Sequence, residues 1–373
     1  MPVEDDRAHG LVNACRAEGV PSSYAWSMVR RALVVERPGS ASLVERPSLE
    51  PADDEVVIRP AFCGLCGTDL ELLRGDVDPA YVRYPLTLGH EWSGTVEAVG
   101  PAVTAVAPGD RCVAECLVPC GVCEFCKAGD TNVCEVYDEL GFTREGGASD
   151  QVLVPARLVH RLGPGVSLLD AALVEPSAVV LRALEKAGPR PGDEVLIVGD
   201  GTIALLAGLL VSLWSPDTVA MVGRRPEQAE LAALVGVDHF TAQWDEPRGF
   251  DLVVEAAGTP EAVTTAVAAA RRGGTVALLG LPPAGETVEL PGDLLVNNDL
   301  TIAASFSYTA AAWRRTVELV NEGRIRPGRI VTHRFALEDH AQAFAALAAV
   351  EGARGKVLLE IAGDGPTNRP PSR

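Results

Sequence analysis

The apolar runs of this chain change character near residue 175. Between about 30 and 160 they are short and set off by Gly and Pro. Examples are Glu55–Pro60, Gly94–Val99 followed by Gly100 and Pro101, and Arg111–Ala114 after Pro108, Gly109 and Asp110. Short alternating segments between turn residues predict a compact, mostly β unit, with its first strand at Met28–Val35. Residues 1–27 precede that strand and read as a non-catalytic extension, with Cys15 a plain thiol.

Beyond Glu175 strand and helix patterns alternate. Ala178–Ala187 predicts a helix and Glu194–Val198 a buried strand, with a long aliphatic helix after it. Strands at Thr218–Val222, Leu252–Glu255, Thr275–Leu279 and Leu300–Ser305 alternate with helices at Glu227–Leu234, Pro260–Ala270 and Trp313–Glu322. That alternation predicts a doubly wound parallel sheet, so the fold class is α/β. Residues Ile330–Ile361 predict a strand-helix-strand that returns to the first unit, and the Pro-rich end, 363–373, reads as a disordered tail.

Two groups of residues carry metal chemistry. Cys120, Cys123, Cys126 and Cys134 follow C-x₂-C-x₂-C-x₇-C, a spacing that lets one loop wrap a tetrahedral zinc ion. Cys66 in GLCGTD, His90 and Glu91 in GHEWSG, and Glu175 in VEPS form a scattered mixed set. A closed four-thiolate site beside an open mixed site is the pattern of one structural and one catalytic ion.

A third motif binds a nucleotide. Gly199, Gly201 and Ala204 make a G-x-G-x-x-G/A fingerprint between the strand Glu194–Val198 and a helix. Its glycines allow a tight turn and close approach of a pyrophosphate to the helix N-terminus. An NAD site wants Asp or Glu at the end of the following strand. This chain has Gly223, Arg224 and Arg225 there, which lack that carboxylate and offer two guanidiniums to a 2′-phosphate. NADP(H) is therefore expected over NAD(H). Asp200, between the glycines, is uncomfortable close to a phosphate, but a middle residue can point away.

Composition narrows the partners. The net charge of −19 argues against sequence-independent nucleic-acid binding, which needs basic surface. Aromatic content of 5% within 47% hydrophobic residues means that the core is aliphatic. Clustered Cys-x-x-Cys pairs point to metal ligation in a reducing, cytoplasmic setting rather than to disulfides. The polar, acidic start is not a secretory signal, and the longest apolar stretch, about Ile203–Trp214, is too short for a membrane span.

These motifs, in order (GLCGTDL, GHEWSGTVEAVG, PGDRC, the four-cysteine loop, VEPSAVVLRAL and the glycine fingerprint), resemble the zinc-dependent medium-chain alcohol dehydrogenases, in their polyol and sorbitol dehydrogenase-like branch. The resemblance implies a GroES-like β-rich catalytic domain, 28–177 and 325–362, interrupted by a Rossmann domain at 178–324, with the active site between them. It makes Cys66 and His90 ligands of a catalytic zinc. Glu91 and Glu175 compete for the remaining direct contact, and Asp69 orients His90. Cys120, Cys123, Cys126 and Cys134 would hold structural zinc. Thr68 matches the hydroxyl that takes the substrate's proton, and zinc acts as a Lewis acid on the substrate oxygen while hydride passes to or from nicotinamide. One departure stands out: Glu71 occupies the place where many relatives carry a proton-relay His. His160, His239, His333 and His340 lie away from the motifs and are not assigned to the site. The expected substrate is a secondary alcohol or ketone of a polyol, cyclitol or sugar derivative. A broad-specificity alcohol or aldehyde reductase is the alternative, and a silent zinc- and nucleotide-binding protein a third reading. A homodimer or homotetramer is expected, its sheets joined through the strand LTIAAS.

Overall fold

The strand Glu194–Val198 is apolar on both faces and buried from Val195 on, which places it inside a sheet covered on both sides. In the structure, a computed structural model describing residues 29–243, 249–283 and 285–363, it is central to a six-stranded sheet. The order is His239–Thr241, Thr218–Val222, Glu194–Val198, Phe250–Glu255, Ala270–Leu278 and Thr301–Ala304, every neighbouring pair parallel. This is the doubly wound Rossmann order. Its switch point falls between Glu194–Val198 and Phe250–Glu255, where a ligand crevice forms at the carboxyl ends of the strands.

The rest of the described chain is largely β. The strand Glu55–Leu65 is the hub of a seven-stranded sheet and pairs antiparallel with Glu91–Val99, Val152–Pro155 and Lys356–Glu360. Lys356–Glu360 in turn runs parallel to Val331–Ala336. The C-terminal strand-helix-strand thus returns to the first sheet, with the helix His340–Ala348 between its strands. The helix Val174–Ala187 stands at the junction of the two units. Val174, Ala178, Leu181 and Leu184 share one buried cluster with Phe62, Val113 and Leu117 on one side and Ile197, Leu206 and Trp313 on the other.

Three local outcomes differ from the sequence reading. The junction helix begins at Val174, ahead of Ala178, because Pro176 falls in its first turn, where no backbone N–H is required. Glu175 is therefore a helical residue at the junction. A short helix, Gly67–Arg74, interrupts the β-rich unit, and the strand His239–Thr241 and helix Gly292–Asn297 are additional short elements. Among the described residues no helix is long and apolar enough to cross a membrane. The extension 1–27, with Cys15, and the tail from 364 onward lie outside the described residues.

Candidate active site and metal centres

Cys66 is the N-cap of the helix Gly67–Arg74. Its backbone N–H donates to Asp69 Oδ2 at 2.8 Å, closing a capping box. The cap leaves Asp69 fully buried with Oδ1 facing His90 Nδ1 at 3.7 Å. His90 Nε2 then points the other way, 4.0 Å from Glu91 Oε1. Donor atoms of Cys66, His90 and Glu91 all lie within 4.8 Å of one another. Thr68 Oγ1 is 3.7 Å from the Cys66 sulfur.

Glu91 opens the strand Glu91–Val99 opposite Gly64 on the hub strand. Lys356, at the start of the returning strand, reaches over Gly64 and pairs with Glu91 Oε2; both side chains are almost wholly buried. Gly64 makes this possible. A Cβ there would lie 2.8 Å from Lys356 Cε and 3.1 Å from Glu91 Cβ. Neither Lys356 nor this role for Gly64 was foreseen in the sequence. A lone Lys heading the apolar run KVLLE was the available signal.

The electrostatics of the cluster suit a cation. Burial alone would lower the His90 pKa, but Asp69, Cys66 and Glu91 overcome it and hold the ring well above its usual value. The anions that stabilise a proton on His90 would equally stabilise a divalent ion. Asp69 Oδ1 and His90 Nδ1 also lie buried without an ordinary hydrogen-bond partner. The residues therefore fit a zinc ion, with a thiolate, an imidazole nitrogen and a carboxylate as donors.

Glu175 stands outside this trio of donors. It lies within electrostatic reach of Glu91 and His90, and burial together with Glu91 pushes its carboxyl up to about 8. A further acid, Glu139, was missed in the sequence. The carbonyl of Glu139 accepts the N–H groups of Phe142, Thr143 and Arg144, which fixes the turn after it. Phe142 carries that turn against the site, its ring centroid 5.2 Å from that of His90. The Glu139 carboxyl is half-buried, and burial pushes it up to about 7, against the influence of His90. Tyr308 reaches in from the segment after the last Rossmann strand. Its buried hydroxyl accepts the N–H groups of Cys116 at 2.9 Å and Leu117 at 3.2 Å.

The four-cysteine loop forms a second cluster. Sulfur donors of Cys120, Cys123, Cys126 and Cys134 lie within 4.8 Å of one another, with Cys120 to Cys126 at 4.0 Å and Cys123 to Cys134 at 3.9 Å. Sulfurs bound to one tetrahedral zinc at ~2.3 Å stand about 3.8 Å apart, so the spacing fits the ion. N–H groups of Val122 and Cys123 point at the Cys120 sulfur and lower its pKa to about 6, the direction a thiolate ligand needs. The loop is moored to the far unit. Asn132 donates to the Phe306 carbonyl at 2.8 Å, and the Ala310 N–H donates to Thr131 Oγ1 at 2.9 Å.

At the glycine fingerprint, Gly199 adopts φ +129° and Gly201 caps the helix Thr202–Val211, in which Ala204 is fully buried. Gly223 follows the strand Thr218–Val222. Arg224 is exposed, whereas Arg225 is buried and its guanidinium is bound to Asp200 Oδ1 at 2.8 Å and to the Asp200 carbonyl at 3.0 Å. The expectation that both arginines stand free for a phosphate is thus corrected: Arg225 is engaged within the protein, and Arg224 remains.

The comparisons agree with this architecture. Residues 52–164 match the alcohol dehydrogenase GroES-like domain, and residues 203–322 match the zinc-binding dehydrogenase family. D-arabinitol dehydrogenase 1 of Uromyces fabae is 30% identical over 84% of this chain and 92% of its own length. A Sinorhizobium meliloti 1021 protein, assigned as a zinc-binding dehydrogenase and solved bound to NADP, superposes with a TM-score of 0.84 at 31% identity, covering 90% of this chain and all of the other. An Escherichia coli CFT073 alcohol dehydrogenase solved with NADH gives 0.83 at 26% identity, over 90% of this chain and 100% of that one. The chain belongs to the zinc-dependent medium-chain dehydrogenases, enzymes that work on a small-molecule substrate with zinc and a nicotinamide cofactor. Within that class it is a polyol dehydrogenase-like member.

Replacing Lys356 by Met leaves the Glu91 carboxylate buried without its cation. Loss of one partner of a buried pair costs about 3–5 kcal/mol. The midpoint of urea unfolding is expected to fall accordingly, and an unchanged midpoint would show that the pair carries no stability.

Proposed function

We propose that the protein is an NADP(H)-dependent dehydrogenase acting on a secondary hydroxyl of a polyol, cyclitol or sugar derivative, or reducing the matching ketone. The observation that carries this reading is the convergence of Cys66, His90 and Glu91 donors in one cluster, with His90 and Glu91 buried and Cys66 partly so. In this reading Cys66, His90 and Glu91 hold the catalytic zinc, with Glu175 behind them, and Asp69 fixes the His90 ring through Nδ1. Cys120, Cys123, Cys126 and Cys134 hold a structural ion. When bound, zinc would supply Lewis acidity toward the substrate oxygen and nicotinamide would supply hydride chemistry at the substrate carbon.

The chain's own groups do the rest. Thr68, beside the Cys66 sulfur, relays the proton of the substrate hydroxyl, accepting it while its own hydroxyl proton passes on to solvent water. Gly199, Gly201 and Ala204 let the pyrophosphate approach the helix N-terminus. Gly223 and the exposed Arg224 favour a 2′-phosphate, with Arg225 supporting the turn from within. The polyol preference is supported by Glu139 and Glu175. These carboxyls, beyond the ligand trio, add groups near the site that can accept or donate hydrogen bonds, which suit a ligand rich in hydroxyls better than an aliphatic alcohol. We place the contact between subunits of a homodimer or homotetramer at the edge strand Thr301–Ala304, where Ile302 is 37% exposed. A reducing cytoplasmic setting suits cysteines kept for metal.

Three measurements test the reading. Cys66→Ser is expected to remove one zinc ion per chain by metal analysis and to abolish NADP(H)-linked turnover, with far-UV circular dichroism unchanged. Turnover that persists in this variant would remove Cys66 from the site. Glu139→Gln is expected to raise KM for polyols several-fold while leaving simple secondary alcohols unaffected; an equal change for both would reject the polyol assignment of Glu139. Arg224→Ala is expected to weaken NADPH by about tenfold or more, the worth of a charge-assisted hydrogen bond, with NADH little changed.

A further inference from the structure

The glycine at the end of the second Rossmann strand has a cause other than clearance for a phosphate. A Cβ placed on Gly223 would lie 2.7 Å from Asp200 Oδ2 and 2.9 Å from Asp200 Cγ. The side chain of Asp200, carried by the glycine loop, fills the space where a strand-end side chain would begin. In the dinucleotide fold that strand-end position carries the acid that meets the adenosine ribose.

The hydrogen bonds hold the carboxylate there. Oδ2 accepts the N–H groups of Arg224 at 2.8 Å and Arg225 at 2.9 Å, and Oδ1 accepts Arg225 Nη2 at 2.8 Å. A carboxylate offers about four acceptor sites, so one on Oδ1 remains. The group is 14% exposed, enough to meet a ligand. Gln228 Nε2 donates to the Asp200 carbonyl and, at 2.8 Å, to that of Arg354, whose N–H returns to Gln228 Oε1 at 2.7 Å. Burial favours the neutral acid, but the bonds from Arg225 and the two backbone amides hold Asp200 below its ordinary value.

We infer that Asp200 sets the cofactor selectivity of this enzyme: from the glycine loop it does what a strand-end carboxylate does elsewhere, and so it restrains the preference for NADP(H) that Arg224 creates. The inference rests on the proposed nicotinamide-cofactor site and refines it. Asp200 offers its remaining acceptor to a ribose 2′-OH and repels a 2′-phosphate, while Arg225 neutralises most of that repulsion. The protein is thus expected to bind both NAD(H) and NADP(H), with NADP(H) ahead by a modest factor.

The test is direct binding, by titration calorimetry on the full chain, of NADPH and NADH and of the fragments 2′,5′-ADP and 5′-AMP. Asp200→Asn keeps the shape and removes the charge. The ratio of NADH to NADPH dissociation constants is expected to rise about tenfold or more, with the same trend in the fragments. Arg225→Met leaves Asp200 uncompensated, and the ratio is expected to fall by a similar factor. This second variant also decides the matter if Asp200→Asn does not fold. A purely structural Asp200 would weaken all four ligands alike in both variants, and that result would overturn the inference while leaving the NADP(H) reading intact. If no nucleotide binds the unaltered protein, the cofactor reading itself fails.

Discussion

The buried pair between Lys356 and Glu91 holds this structure together at its most demanding point. Asp69 and Glu91 gather negative charge in a place with almost no access to water, where unpaired charges are costly. Lys356 supplies a cation from the opposite end of the chain, across a glycine whose missing side chain leaves the passage open. The returning strand Lys356–Glu360 therefore does more than complete a sheet. Its first residue balances the cluster, and the residues just before it grip the nucleotide-binding unit. Gly355 accepts a hydrogen bond from Thr202 at 3.1 Å, and Arg354 exchanges two with Gln228.

That arrangement explains what could be read in advance. The cysteine spacing and the glycine fingerprint are local motifs. Their geometry is dictated by neighbours a few residues away, so sequence spacing carries it. The alternation beyond residue 175 likewise exposed the parallel sheet, since each buried strand is a separate aliphatic run. Lys356, Glu139 and Tyr308 were not legible because topology alone brings them to the site. A lone lysine heading an apolar run hints at burial, but no local pattern marks it, an acid before a turn or a tyrosine in a linker as the partners of Glu91, His90 or Cys116.

Gly223 shows a subtler limit. The residue type was correctly taken to mean that a strand-end side chain is missing. Whether the space stays empty depends on the rotamer of Asp200, which lies 24 positions earlier on a different turn and bonds to the amides of Arg224 and Arg225. A sequence shows an omission, while only the packed structure shows what fills it. The same packing separates two adjacent arginines into one that lies inside the protein and one that faces solvent.

The separation of Glu91 from Lys356 along the chain also orders events during synthesis. A ribosome delivers Cys66, His90 and Glu91 first, then the whole Rossmann sheet, and only afterwards the strand that brings the lysine. Until that strand emerges, the Phe62–Leu65 end of the hub strand keeps one edge unpaired and the acidic cluster lacks its counter-charge. The early segment must wait, partly assembled, while the inserted unit is made and folds as its own body. The last of the described strands to leave the ribosome is thus the one that completes the seven-stranded sheet, so maturation of the reaction centre is tied to a late stage of synthesis rather than to local folding.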